Sequence, residues 1–254
     1  MLPLPDLVTT RDIIQQLTDR LRDVYDAAVH TELTDPAVLG RALCDVMDAV
    51  HRRTHAGDDP PPDDLPEADD LPVAGEPPLG ELCDHGIDLL NRLAETATAL
   101  AMPEEAGRIQ ALTLPLACCV GRVGGELAHL EPVVDAVARV ADGLHDPAEL
   151  ARLHGMLDEI ADAVSPRIAE APAGSEAATA WRALLINRAI VATRSQQPAL
   201  MEVSFDAVIE HLPEEGPRFF TEGLGRLDAS DYPEQVRRVM ATYERRFRDS
   251  RRLH

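Results

Sequence analysis

The chain has 254 residues, 45% of them hydrophobic and 27% charged, with 45 acidic against 24 basic side chains and a formal net charge of -21 at pH 7. All 24 basic residues are arginine, which excludes chemistries that need a lysine: a Walker A phosphate loop, Schiff-base catalysis and a protein kinase site. The negative balance repels phosphate backbones and anionic lipid, so neither a nucleic-acid nor a membrane partner is expected.

Residues 1–10 hold no cationic segment and no long apolar run, and no later stretch reaches the roughly 18 apolar residues of a membrane span. The expectation is a cytoplasmic protein in which Cys44, Cys83, Cys118 and Cys119 are reduced. Thr9 or Thr10 is placed to cap a first helix, with Ile14, Leu17, Leu21, Val24 and Ala28 on one stripe. A second opens at Asp35-Pro36, with Asp as N-cap and Pro in the first helical position, and runs through Leu39, Leu43, Val46, Met47 and Val50. Together they predict an N-terminal helical hairpin over 1–56.

Residues 57–80 hold eight acidic side chains, no basic ones and seven prolines. Proline removes backbone donors and like charges repel, so an extended, solvated linker is expected here in preference to an acidic docking segment. Beyond it, residues 81–254 again repeat apolar positions at spacings of three and four. Ile87, Leu90, Leu93, Ala97 and Leu100 form one stripe, ended near Pro103. An apolar run from Ile109 to Val120 is interrupted at Pro115, and Gly121, Gly124 and Gly125 then loosen the chain. Val133, Val137, Val140 and Leu144 begin a hairpin whose second helix is capped by Asp146-Pro147 and carries Leu150, Leu153, Leu157, Ile160 and Val164. Pro166 and residues 171–174 close it. Further helices are predicted from about 176 to 194, 198 to 211, 214 to 227 and 233 to 249. Eight helices in four antiparallel pairs result, with pair starts about 39 to 49 residues apart, in the range of helical-hairpin solenoids. The fold class is therefore all-α: antiparallel helical hairpins in a right-handed solenoid or an irregular helical bundle.

Within the last part, Met201, Phe205, Val208 and Pro213 sit where tetratricopeptide repeats place the second-helix small residue, the aromatic, the next small residue and the closing proline. This segment resembles that superfamily over one repeat. Leu185, Arg188, Ala189 and Ala192 stand in place of its first-helix pattern. The resemblance implies stacked hairpins with a concave surface for a protein partner. The shared Asp-Pro-Ala-x-Leu-x-Arg of 35–41 and 146–152 fits either an internal duplication or common capping chemistry.

Acidic residues precede histidines by three at Asp48/His51, Glu126/His129 and Asp142/His145, a spacing that di-iron carboxylate bundles use. Such bundles need two Glu-x-x-His elements, and only Glu126/His129 supplies a glutamate. His51 and His55, with Cys44 two turns earlier, could clamp an ion but read better as helix-terminal histidines. His145-Asp146 resembles the paired residues of HD-type phosphohydrolases, although Asp146 is already explained as an N-cap. Cys118-Cys119 lacks Cys-x-x-Cys spacing and reads as buried thiols. None of the six serines lies in a Gly-x-Ser-x-Gly elbow, so hydrolysis by a nucleophile has no sequence support. No catalytic residue, metal or cofactor is expected. The rival reading is a metal-dependent all-helical enzyme, di-metal or HD-like, using Glu126, His129, His145 and Asp146.

Seven of the eight aromatic residues lie after position 180. Val236, Met240, Tyr243 and Phe247 make one stripe of the last helix, which must be buried. The opposite face carries Arg237, Arg238, Arg245 and Arg248 and, with its tail, gives residues 237–254 a net +5. A solvated face ranks first as its explanation, docking of the acidic linker second and an acidic external partner third. Trp181, Asn187, Arg188, Arg194, Phe219 and Phe220 are the groove candidates, since polar groups on otherwise apolar helices demand hydrogen-bond partners; internal stabilisation is an equally good account of them. The function these features favour is a non-catalytic helical-repeat adaptor, scaffold or assembly protein with a protein partner. A compact bundle that homo-oligomerises is a third reading.

Overall fold

The computed structural model describes residues 7–27, 33–55, 77–228 and 232–250, and these are almost wholly helical. The helices are α1 (Leu7–Ala27), α2 (Pro36–His55), α3 (Leu79–Ala99), α4 (Pro103–Ala111), α5 (Thr113–Arg122), α6 (Glu131–Gly143), α7 (Pro147–Asp162), α8 (Pro166–Ala169), α9 (Glu176–Arg194), α10 (Pro198–His211), α11 (Gly216–Asp228) and α12 (Glu234–Ser250). The fold is all-α. One isolated parallel bridge, Leu127 to Val164, ties the segments that follow α5 and α7, with Leu127 N donating to Ala163 O and Ser165 N to Leu127 O.

Local chemistry sets half of the helix starts. Asp35 Oδ1 accepts from Ala37 N at 2.8 Å, Asp146 Oδ1 from Ala148 N at 3.2 Å and Ser175 Oγ from Ala178 N at 3.1 Å, each filling an otherwise orphaned donor of a first turn. Prolines 36, 103, 147, 166 and 198 occupy the first position of their helices, where a missing N–H costs nothing.

Several local expectations are corrected. Thr9 and Thr10 lie inside α1, which already includes Leu7, and Thr10 is buried. Pro115 does not interrupt a helix. It sits in the first turn of α5, and the break falls three residues earlier, at Leu112. Gly121 lies within α5 rather than in a loop, since a Cβ there would come within 2.8 Å of Glu159 O on α7. The chain reverses instead at Gly124, whose φ is +68°. Ten helices follow residue 77 among the described residues, because α4 and the short α8 separate from their neighbours. Pairing also departs from a simple series of hairpins. α1/α2, α9/α10 and α11/α12 are packed neighbours, but α6 lies mainly on α4, α5 and α9, and α7 mainly on α5 and α9. Ala28 and residues 57–76 of the expected linker lie outside the described residues, and α3 begins at Leu79.

Two apolar clusters hold these helices together. The larger runs from Ile14 on α1 to Val191 on α9 and includes the stripes of α2, α3, α5, α6 and α7. The N-terminal hairpin thus shares its core with the central helices. The smaller joins Ala189 and Ala192 of α9 to Met201, Phe205, Val208, Phe220, Leu227, Val236, Met240 and Tyr243. α9 contributes to both, so it is apolar on more than one face.

Candidate binding groove

Between α9, α11 and the start of α12 lies an open cavity of about 580 Å³, within the size range of ligand-binding clefts. Ile186, Ile190, Phe219, Leu227, Tyr232 and Met240 supply most of its wall. α11 and α12 close its base tightly, because Gly223 has no side chain and a Cβ there would come within 2.9 Å of Met240 Cε. Of the polar lining, Thr193, Arg194 and Glu222 have internal partners, and Arg226 is exposed. Thr193 Oγ1 donates to Ala189 O at 2.8 Å, and Arg218 Nε donates to Glu222 Oε1 at 2.7 Å. Arg194 spans from α9 to the end of α6, giving Nη1–H to Ala141 O at 2.7 Å and Nη2–H to Leu144 O. It therefore adds donors to two carbonyls at the C-terminal end of α6, one of which, Ala141 O, also accepts from Leu144 N.

The six groove candidates do not form one surface. Arg194 and Phe219 line the cavity, whereas Phe220 is fully buried among aromatic rings. Trp181 is buried, meets His211 edge to face and borders a different hollow of about 390 Å³. Arg188 donates from Nε to Asp158 Oδ1 at 2.6 Å. Asn187 is half-buried and lines neither hollow. The internal explanation accounts for Arg188 and Phe220, and in part for Arg194.

The cationic face is likewise engaged locally. Arg238 donates to Glu234 and Arg245 to Ala241 O. Arg246 reaches Asp206 at 3.4 Å, and its guanidinium lies 5.1 Å from the centre of the Tyr243 ring. Arg237 is half-buried, and the side chain of Arg248 lies outside the described part of the helix.

The most chemically suggestive cluster has no counterpart in the sequence reading. His154, 0% exposed, places Nε2 2.6 Å from Ser204 Oγ. Its Nδ1 lies 3.2 Å from Asp158 Oδ2, poorly aligned for a hydrogen bond, and Asp158 in turn holds Arg188. A serine, a histidine and an aspartate thus meet across α7 and α10. Burial pushes the Asp158 carboxyl up, but its contacts with His154 and Arg188 outweigh burial and hold it below the usual carboxylate range. Serine catalysis also requires access and an oxyanion site. Ser204 is 1% exposed and in mid-helix, where neighbouring backbone N–H groups are taken by the helix, and the cavities described here are lined by other residues. The cluster is a polar tie joining α7, α9 and α10, buried at His154 and Ser204 and open to solvent at Asp158. Its signal in the sequence was a histidine on the apolar stripe of α7 followed four residues later by an aspartate.

The residues of the metal-dependent alternative are occupied elsewhere. Glu126 accepts from Ser165 Oγ at 2.9 Å, and Asp146 caps α7. His145 Nδ1 lies 3.3 Å from Gly143 O. His129 Nδ1 is 4.0 Å from Asp84 Oδ2, which accepts from Ala128 N. Burial raises the Asp84 carboxyl above its ordinary range, partly offset by that hydrogen bond. Among the described residues, no three His, Cys, Asp or Glu side chains are arranged to hold an ion. Among the same residues, no helix is long and apolar enough to cross a membrane.

No family model matches the chain, and neither a curated protein nor a solved structure is significantly similar to it.

Proposed function

We propose that this is a non-catalytic helical binding protein of tetratricopeptide-like character, and that the cavity between α9, α11 and α12 receives an apolar portion of a protein partner. The observation that carries this reading is the contrast in the cavity lining. Aliphatic and aromatic side chains form most of the walls, while Thr193, Arg194 and Glu222 already spend polar groups on internal partners and Arg226 adds one exposed guanidinium. Such a surface gains from excluding water and has little machinery for chemistry. Its place among packed helical pairs supports the analogy with hairpin-repeat proteins, whose stacked helices leave a face free for partners.

Introducing a carboxylate into the wall by Ile190→Glu should abolish capture of a native-cell partner while circular dichroism and the melting transition remain close to those of the parent protein. Arg22→Ala, on an exposed ion pair of α1 that contributes nothing to the wall, should leave capture intact. Equal retention of partner by both variants would remove the cavity from the account. The metal-dependent alternative has its own measurement: stoichiometric transition metal in purified protein, lost in His129→Ala, would favour it.

A further inference from the structure

Cys83 on α3 and Cys119 on α5 are far apart in sequence, yet the register of the two helices brings them together. Gly86 of α3 lies directly against Leu116 of α5, where a Cβ would come within 2.7 Å of Leu116 Cδ2. Past the end of α5, Gly125 meets Gly80 at the start of α3, where a Cβ on Gly125 would come within 3.3 Å of Gly80 Cα. The helices therefore run antiparallel at close range. One turn before Gly86 on α3 is Cys83, and one turn after Leu116 on α5 is Cys119. Side chains three residues apart share a helix face, so the two thiols face one another across the glycine-lined contact. All four cysteines are free.

We propose that Cys83 and Cys119 form a peroxide-sensitive dithiol, a modification site that closes to an intramolecular disulfide joining α3 to α5. The chemistry divides the roles. Cys119 thiolate attacks one oxygen of hydrogen peroxide, forming an S–O bond as the O–O bond breaks, and hydroxide leaves to become water after protonation. The Cys83 thiol then attacks the sulfur of the resulting sulfenic acid, forms the S–S bond and expels hydroxide, which leaves as a second water with the Cys83 proton. Two thiols are oxidised and one peroxide is reduced to two waters.

The surroundings favour Cys119 as the attacking partner. The neighbouring Cys83 thiol and the positive charge of Arg122 outweigh burial and hold the Cys119 thiol below its ordinary range, while Cys119 and burial push Cys83 up. The vicinal Cys118 behaves differently. It is pushed up to about 12 by burial and by Glu159, and its Sγ lies 3.6 Å from Met156 O. Cys119 also retains 8% exposure against 0% for Cys83 and Cys118, so of the two partners it is the residue nearer solvent.

Treating the full-length chain with hydrogen peroxide should remove two of its four titratable thiols and lower the intact mass by two hydrogen atoms. Peptide mapping should link the segments containing residues 83 and 119, and dithiothreitol should reverse the change. Cys118→Ser should form the same link. Cys83→Ser should instead retain an oxidised Cys119 that a dimedone probe traps. A link through Cys118 or Cys44, a Cys119 sulfinic acid in the parent chain, or four intact thiols after treatment and unfolding would each overturn the proposal. The parent-chain mapping decides the matter even if a core cysteine variant does not fold.

Discussion

The two apolar clusters solve the same packing problem with different materials. The first, spanning α1 to α9, is built from leucine, isoleucine, valine, alanine, methionine and cysteine, and Trp181 is the single aromatic residue among its buried members. The second depends on rings: Phe205 meets Phe219, Phe220 and Tyr243 edge to face, and Phe220 stacks on Phe247. Glycine admits a side chain in both, Leu116 at Gly86 and Met240 at Gly223, and in the first it also admits backbone. Gly121 lets α5 approach a backbone carbonyl of α7. Small residues distribute adhesion over many interchangeable contacts and bring helix axes close. Rings concentrate it in a few positions and leave hollows where their outlines do not match. The larger of the two hollows described above borders the aromatic cluster.

This difference can be tested by truncation. Phe220→Ala should cause the largest loss, about 3 to 5 kcal/mol in denaturant-measured stability, because one ring contacts several others. Leu153→Ala in the aliphatic cluster should cost about 2 to 5 kcal/mol, toward the lower end if neighbouring small side chains relax into the space. A larger effect for Leu153 than for Phe220 would reverse the comparison.

The polar tie across the two regions should rank next. Ser204→Ala removes the partner 2.6 Å from His154 Nε2 and should cost about 1 to 3 kcal/mol, the usual effect of leaving a buried polar group unsatisfied. Asp158 gives this tie a dependence on acid. Its folded-state carboxyl lies below the ordinary range, so its contribution is fully present above the unfolded value of about 4 and is lost as pH falls through the folded value. The stability difference between the parent and Asp158→Asn should therefore narrow as pH is lowered from about 5 to about 2, and a constant difference would remove Asp158 from the acid response. The solvent screens this group because its side chain is 36% exposed, so the effect should be smaller than that of either core truncation. At the bottom of the scale, Arg218→Ala breaks an exposed helical pair and should leave the unfolding midpoint unchanged within measurement.

Much of the local structure was legible because short-range rules act before tertiary contacts intervene. Asp35, Asp146 and the prolines beside them announced the starts of α2 and α7. The stripes of Leu39, Leu43, Met47 and Val50, and of Leu150, Leu153, Leu157 and Ile160, are buried as their spacing required. Pro115 misled because proline breaks a helix interior yet suits a first turn, and which position it occupies depends on where the preceding helix stops. Trp181 and Phe220 were legible as large apolar side chains, but not as members of different clusters. Arg188 and Arg194 were legible as polar groups needing partners, but not with partners on α7 and at the end of α6.

The amino-acid order by itself determined that this chain forms amphipathic helices, where half of them begin, and which faces must leave water, because period and capping are properties of neighbouring residues. Tertiary packing alone decided that His154 meets Ser204 fifty positions away and that Cys83 lies beside Cys119. It also decided that the apolar hollow opens beside α11. The approach of α3 to α5 and of α11 to α12 depends on helices that touch at glycine, and a residue with no side chain leaves little trace of its partner in a sequence.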